Sequence, residues 1–153
     1  MVSRDSKYQI NSRVINALYV EAMVLADEAR SYFDNFGAQD RDHLTPMQRV
    51  SFSCESLKVT TRIMHVIAWL LTQRAIIAGE FDRQDSLSST LRLGDAATTE
   101  TSILDLLPAD ARALIETSTE LYLRVKRLDK KIGIDAISKN EVRTLLKKIE
   151  RAF

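Results

Sequence analysis

The chain has 153 residues, of which 45% are hydrophobic and 28% charged, and its formal net charge is +1. This length suits one domain with a sizeable core, and the balanced charge gives no general attraction to nucleic acid or to an anionic membrane. Four Gly and two Pro are too few for a turn-rich β fold. The single cysteine, Cys54, the absence of an apolar signal core and the short apolar runs indicate a reduced, cytoplasmic protein without membrane insertion.

The first predicted helix spans about residues 12–36. Its apolar residues recur at alternating spacings of three and four, as in the packed face of a bundle helix: Ile15, Leu18, Ala22, Leu25, Ala29, Tyr32 and Phe36. Gly37 is expected to end this helix in the left-handed conformation. Residues 38–44 are then expected to form a polar loop.

The second predicted helix spans about residues 46–78 and begins with a capping signature. Thr45 is the N-cap, Pro46 takes the first position, and Gln48 completes the capping box. Two faces of this helix are apolar and both are expected to be buried, which makes it the inner element of a bundle. The first face holds Leu57, Thr61, Met64, Ala68 and Leu71, and the second holds Phe52, Val59, Ile63, Val66, Ile67, Leu70 and Ile77.

The third face of the second helix carries polar residues around the only tryptophan. We predict that Arg62, His65, Trp69 and Gln73 form an exposed surface that binds a partner, because Trp and Arg are favoured at the centres of interfaces. In the alternative interpretation, residues 80–106 or the third helix cover Trp69, or Arg62 stacks on the indole.

Residues 80–106 are the least regular part of the sequence, and LSSTLRLGD within them allows one or two helical turns. A third helix is predicted over about residues 108–132. It starts at Pro108, ends at Gly133 and has an apolar face of Ala111, Leu114, Ser118, Leu121, Val125, Leu128 and Ile132. The whole chain is therefore predicted to be a single all-α domain, an antiparallel three-helix bundle with a short extra C-terminal amphipathic helix.

That last helix is predicted over residues 138–153, with a capping box between Ser138 and Glu141. Its apolar residues are Val142, Leu145, Leu146, Ile149 and Phe153, and they lie opposite Lys139, Arg143, Lys147 and Arg151. Such a helix can fold back on its own bundle, lie on a membrane or dock in a partner's groove. As the second partner-binding surface we predict Leu145, Leu146, Lys147, Ile149 and Phe153.

Signals for catalysis and for cofactors are weak. His43 and His65 lack further ligands at metal-binding spacing, and no phosphate-binding glycine loop or nucleophile motif occurs. A dicarboxylate site of the kind found in helical chorismate mutases would require Lys58, Arg62, Gln73 and Arg74 to converge, whereas three of these lie on the polar face. The sequence thus predicts a protein with no catalytic, metal or cofactor site and no DNA-reading element. A buried, inert Cys54 is expected.

Two sequence blocks resemble a known family. The run ESLKVTTRIMHVIAWLLTQRA, residues 55–75, is similar to the signature of the regulator of CtrA degradation (RcdA) family of alphaproteobacteria. A second block, ETSTELYLRVKRLDKKI at residues 116–132, matches the family's pattern at Ser118, Leu121, Tyr122, Arg124, Val125, Arg127, Leu128 and Asp129. The resemblance covers about residues 12–132.

This resemblance implies a three-helix bundle, a homodimer and a function without catalytic residues. The family's best-known member is an adaptor that delivers cell-cycle regulators to the protease ClpXP, together with a receiver-domain adaptor. The resemblance therefore implies ClpX, a receiver-domain adaptor and cargo regulators as partners. A dimeric helical-bundle protein with an unrelated regulatory role remains the alternative. The chain departs from the known adaptor at residues 138–153, where a helix is predicted in place of a disordered tail.

Overall fold

A computed structural model describes the backbone of residues 2–80 and 91–153, and their side chains outside 2–11 and 134–139. Regular structure in these ranges is entirely helical, which confirms the all-α class. The helices are α1 (Val2–Ser31), α2 (Gly37–Asp42), α3 (Pro46–Ile77), α4 (Thr101–Leu104) and α5 (Ala109–Ala152), and a π-helical stretch, Tyr32–Phe36, joins α1 to α2. Residues 81–90, which include the first four residues of LSSTLRLGD, lie outside the described part.

The start and the end of α3 are as predicted. The Gln48 backbone N–H donates to the Thr45 hydroxyl at 3.3 Å, and the Thr45 N–H donates to the Gln48 side chain at 3.0 Å. This reciprocal capping box satisfies two of the N–H groups that a helix start leaves unpaired. At the other end, Gly79 adopts a φ of +80°, a left-handed conformation that glycine tolerates at little cost.

Two other glycines do not end helices, contrary to the prediction. Gly37 has a φ of −75° and is buried, and a Cβ atom there would lie 2.8 Å from the carbonyl oxygen of Tyr32. The helical path therefore continues to Asp42, and the polar loop predicted from residue 38 is wrong over most of its length. Gly133 lies inside α5, where a Cβ would lie 2.7 Å from Nη1 of Arg92. Both glycines serve close packing.

The directions of the helices differ in part from the predicted antiparallel bundle. Phe33, at the end of the α1 path, packs on Phe52 near the start of α3, whereas Tyr19 lies beneath Arg74 near its end, so α1 and α3 are antiparallel. By contrast, α3 and α5 run parallel, because Arg62 contacts Ser118 and Trp69, further along α3, contacts Asp129. The chain must therefore return along α3 before α5 begins. Residues 91–100, which we call the strap, make this return.

The core lies between α1, α3 and α5. The predicted apolar faces of the first and third helices are buried or half-buried, except for Phe36, which is 75% exposed. From α3, the inward side is the bulkier face, with Phe52, Val59, Ile63, Val66 and Leu70. Within the described ranges, none of the helices has the length and apolarity needed to cross a membrane.

Candidate functional site

The strap binds to α3 mainly through the guanidinium of Arg62. Nε and Nη2 of Arg62 donate to the carbonyl oxygen of Ala97 at 3.2 and 3.0 Å, and Nη2 also donates to the hydroxyl of Thr99 at 2.7 Å. Nη1 donates to the Ser118 hydroxyl on α5 at 3.3 Å. A planar guanidinium with five donors suits this role, because one side chain can join three elements at once.

A buried carboxylate accompanies this guanidinium. Glu55 lies seven residues before Arg62 on the same face of α3 and is 2% exposed. Its Oε2 accepts from the Thr99 hydroxyl at 2.5 Å, and its Oε1 accepts from Nζ of Lys58 at 2.9 Å. Lys58 also donates to the carbonyl of Thr98 at 3.3 Å. The three charged side chains therefore bind the strap as a connected network.

Burial and charge act in opposite directions on Arg62. Removal from water disfavours the charged form and lowers the pKa of the Arg62 guanidinium, and the neighbouring Glu55 carboxylate raises that pKa in part. An arginine pKa is high enough that the side chain stays charged. The network consequently holds a cation and an anion in the interior: loss of Glu55 leaves the buried Arg62 guanidinium without its neighbouring anion, and loss of Arg62 leaves Glu55 with Lys58 as its paired cation.

The second half of the strap site surrounds Trp69. The indole Nε1 donates to Oδ1 of Asp129 at 2.9 Å, and Arg92 of the strap donates to both oxygens of the same carboxylate at 3.0 and 3.2 Å. Two turns earlier on α5, the hydroxyl of Tyr122 donates to the carbonyl of Gly94 at 2.7 Å. Burial raises the pKa of this Tyr122 hydroxyl.

The polar face of α3 was predicted to be an exposed partner surface, and that exposure is wrong. Arg62 and Trp69 are 2% exposed and Gln73 is 8% exposed, while His65 is half-buried against Gly94. The four residues do lie on one face, as the helical spacing indicated. The strap and α5 cover that face, so the alternative interpretation of Trp69, coverage by residues 80–106 or the third helix, is the correct one.

Three of the four residues considered for a dicarboxylate site, Lys58, Arg62 and Arg74, are engaged elsewhere. The donors of Arg62 and Lys58 bind the strap, and Arg74 lies over the Tyr19 ring, 4.5 Å from its centroid, with Nε donating to Asn16. Among the described residues, no three His, Cys, Asp or Glu side chains converge as metal ligands would.

The face of α3 that was expected to pack inside the bundle is exposed instead. Leu57 is 68% exposed, Met64 62% and Leu71 47%, and Cys54, expected to be buried, is exposed as well. The same 3-4 spacing extends beyond these residues in both directions. We call the complete set the outer seam: Met47, Val50, Cys54, Leu57, Thr61, Met64, Ala68, Leu71, Ala75 and Ala78.

The predicted C-terminal helix is the continuation of α5. This helix runs for 44 residues, about 66 Å at 1.5 Å per residue, so the predicted break at Gly133 and the new start near Ser138 are wrong. All side chains from residue 140 to 153 are exposed. This segment, which we call the α5 extension, therefore does not fold back on the bundle. Its predicted partner surface stays open: Leu145, Leu146, Lys147, Ile149 and Phe153.

The comparisons with known proteins agree with this fold. The crystal structure of RcdA from Caulobacter crescentus CB15 is similar with a TM-score of 0.63 and 30% sequence identity, over 78% of this chain and 91% of that chain. This similarity confirms the resemblance drawn from the two sequence blocks. No curated protein matches the chain. Residues 6–153 match the family described as protein of unknown function DUF1465, a range that includes the α5 extension, and the chain belongs to this family.

Proposed function

We propose that this protein is a non-catalytic adaptor that tethers cargo, in particular cell-cycle regulators, to the ClpXP protease in the cytoplasm. The similarity to RcdA supports this role, since the resemblance implies such an adaptor. The proposal includes no cofactor. It also includes the homodimeric state that the resemblance implies, with ClpX, a receiver-domain adaptor and cargo regulators as partners.

The observation that carries the proposal is the exposed α5 extension. Val142, Leu145, Leu146 and Ile149 are each 54–58% exposed and follow one face of the helix. An apolar helical stripe of this spacing is the usual element of helix-in-groove recognition. The other side of the helix carries Arg143, Lys147, Lys148 and Arg151, which favours a groove with an acidic rim.

Tethering requires no chemistry in the adaptor. When one surface binds the protease machinery and another binds cargo, the second contact becomes intramolecular and the effective affinity rises by about 10²- to 10⁴-fold. A helix that extends from a folded bundle presents its docking face away from the core. The buried network around Arg62 then has a structural task, to hold the strap on the bundle, and contacts no partner in this account.

A second candidate is a dimeric helical-bundle protein that has an unrelated regulatory partner. The outer seam favours it, because a long exposed apolar face is suited to self-association whatever the partner is. The two candidates differ in which protein binds the α5 extension: ClpX or the receiver-domain adaptor in the first, and an unrelated regulatory protein in the second.

A binding experiment with purified proteins tests the adaptor role. The full chain, a Leu145→Asp/Ile149→Asp variant and a control with Thr144→Asp on the same extension are titrated with ClpX, alone and with the receiver-domain adaptor. We expect the full chain and the control to bind. The double variant should bind at least about tenfold more weakly, because two charges then face an apolar groove. Circular dichroism checks that helix content is unchanged.

If the full chain binds neither protein, the adaptor role is wrong and the second candidate takes its place. If the double variant binds as well as the full chain, the role stands but the α5 extension is not the docking element.

A further inference from the structure

The outer seam is an apolar face without an occupant among the described residues. Its ten residues alternate spacings of three and four from Met47 to Ala78, and none of them is ionisable except the thiol of Cys54. The bulkiest of them, Met47, Leu57 and Met64, are 78%, 68% and 62% exposed. This is the pattern of a coiled-coil helix, which requires a second helix to fill it.

No described segment of the same chain is placed to fill this face. One flank of α3 is taken by α1, as the stacking of Arg74 on Tyr19 shows, and the other by the strap, through Lys58 and Thr98. The exposed stripe of the α5 extension lies beyond the end of α3, since Trp69 is already level with Asp129. The outer seam therefore lies open between the two flanks.

The order of large and small residues indicates what the seam fits. If a second copy of α3 lies antiparallel with Thr61 opposite Met64, every layer combines a large residue with a small one. The layers are Thr61 with Met64, Leu57 with Ala68, Cys54 with Leu71, Val50 with Ala75, and Met47 with Ala78. A parallel pair would instead oppose like with like, so that crowded Met64 and Leu57 layers would alternate with hollow Thr61 and Ala68 layers.

We propose that the outer seam pairs with the outer seam of a second copy in this antiparallel register. The large and small residues of the seam match those of a second, antiparallel copy, and a helix from a different protein would not require this match. Two strips of roughly 46 Å by 10 Å cover about 900 Å² together. Tyr19 of α1, which lies under Arg74 on one flank of the seam, and the exposed Met23 beside it on α1 extend the contact toward the roughly 1,200 Å² at which specific interfaces begin.

The orientation has a consequence for tethering, and this part rests on the proposed function. Because α5 runs parallel to α3, antiparallel seams send the two α5 extensions out of opposite ends of the dimer. Residue 148 lies 30 residues beyond Ser118, so two copies of it are about 90 Å apart along the axis. In a parallel pair the same residues would be about 30 Å apart. This is the sum of three interhelical distances, from α5 to α3, from α3 to the second α3, and from there to the second α5. The antiparallel dimer presents two docking helices that cannot bind one groove together.

Disulfide trapping of the purified full chain tests the register. Leu71→Cys places a thiol opposite Cys54 of the second copy, within disulfide reach for facing helices. We expect mild oxidation to yield a covalent dimer of Leu71→Cys. The unaltered chain and the Leu71→Cys/Cys54→Ala variant should stay uncrosslinked, because the thiol of each then faces a side chain that carries no sulfur. Dimer formation through Cys54 alone would overturn the antiparallel orientation.

The mass in solution tests the surface itself. Leu57→Asp/Met64→Asp changes two exposed residues, so the variant should fold, and we expect it to be monomeric where the unaltered chain is a dimer. An unaltered chain that is monomeric, or a dimer that persists in this variant, overturns the proposal. Pulsed electron resonance between spin labels at Lys148→Cys, in a Cys54→Ala background, then measures the distance, expected near about 90 Å; a value near about 30 Å contradicts the orientation.

The two proposals fail separately. A monomeric chain that still binds ClpX leaves the adaptor role intact, and removes the seam dimer together with the homodimeric state proposed alongside that role. A stable seam dimer that binds neither ClpX nor the receiver-domain adaptor does the reverse.

Discussion

The indole Nε1 of Trp69 lies 2.9 Å from Oδ1 of Asp129, in a hydrogen bond that joins α3 to α5 inside the bundle. The same carboxylate accepts from Arg92 of the strap at 3.0 Å. One acceptor thus fixes the parallel alignment of two helices and the position of the segment that covers them. A face that carries a tryptophan and several polar residues is therefore internal, because its polar groups find partners within the chain.

This bond makes Asp129→Ala destabilising. The substitution leaves the Trp69 N–H and the Arg92 guanidinium without their acceptor, and an unpaired buried donor costs about 1–3 kcal/mol. We expect the free energy of unfolding, measured by urea titration, to fall by about 3 kcal/mol. The fluorescence of Trp69 should shift to longer wavelength and become easier to quench with iodide. Emission that is already long-wavelength and easily quenched in the unaltered chain would contradict the buried position of Trp69.

Arg62 is expected to be the side chain on which the strap depends most. In Arg62→Met, the Ala97 carbonyl and the Thr99 hydroxyl lose their donor and the buried Glu55 carboxylate loses a nearby cation. Breaking a buried ionic arrangement from one side costs about 3–5 kcal/mol. We expect a loss in that range, together with faster proteolysis within residues 91–100.

The control for this variant is Arg49→Met, which changes an exposed arginine on the same helix. It should change the free energy of unfolding by less than about 0.5 kcal/mol. Equal effects of the two variants would show that the strap does not depend on Arg62.

The effects of substitutions at Gly94 and His65 on stability are expected to be coupled, because the two residues are in close contact. A Cβ at Gly94 would lie 2.7 Å from Nδ1 of His65, closer than real Cβ contacts, so Gly94→Ala must displace the imidazole or the strap. We expect Gly94→Ala to destabilise the protein by about 1–3 kcal/mol, as overpacking does. Adding His65→Ala should recover most of that loss, because the obstructing ring is gone. A double-mutant cycle in urea with additive effects would contradict this contact.

Alkaline pH is expected to weaken the attachment of the strap. The pKa of Tyr122 is raised from its ordinary value of 10.0 by burial, so above that pH the unfolded chain releases a proton that the folded chain keeps. The folded state then binds more protons, and the free energy of unfolding must fall as pH rises past about 10. Tyr122→Phe should lose about 1 kcal/mol at pH 7 with its hydrogen bond to Gly94, and show a smaller further loss at high pH.

The comparison for this pH series is Tyr19→Phe, since the Tyr19 ring lies under Arg74, away from the strap. This variant should keep the steep loss of the unaltered chain. An equally steep loss for Tyr122→Phe and the unaltered chain would contradict the assignment to Tyr122.

The α5 extension is expected to exchange its amide protons quickly. Residues 140–152 are helical but exposed along their whole length, and an isolated helix of this size is marginal in water. We expect exchange at least about a hundredfold faster there than in residues 111–125, which contribute to the core. Binding of ClpX should slow exchange in the extension selectively. Strong protection of the extension in the free chain would mean that it is packed against something.

The sequence predicted the helices well because their signals are local. The alternating apolar spacing of α1 and α5 and the Thr45–Gln48 capping box depend on residues a few positions apart, and both were confirmed, with Phe36 as the exception on α1. The glycine assignments failed at Gly37 and Gly133, since both accommodate a close neighbour while the helix continues. Among the described residues, only Gly79 combines a helix end with a positive φ.

The assignment of faces on α3 was harder because this helix has two apolar faces. The helical periodicity of the sequence separates the two apolar faces, but it does not show which of them other parts of the chain bury. Glu55 and Arg62 lie seven residues apart on the third face, and an anion and a cation at this spacing can signal a buried network as well as a solvated surface. The Glu55 and Arg62 face is buried because the strap covers it. The strap binds both side chains although it lies more than 30 residues further along the chain. A continuous uncharged 3-4 pattern over all of α3 was the available signal for an outward face.

The measurement that tests the adaptor role most directly is reconstituted proteolysis. Proteins that copurify with the chain are incubated with ClpXP and the receiver-domain adaptor in three parallel reactions. The first contains the full chain, the second contains the Leu145→Asp/Ile149→Asp variant, and the third contains neither. We predict that degradation of at least one regulator accelerates with the full chain and stays at the basal rate with the double variant. Degradation at the same rate with and without the full chain would contradict the tethering role.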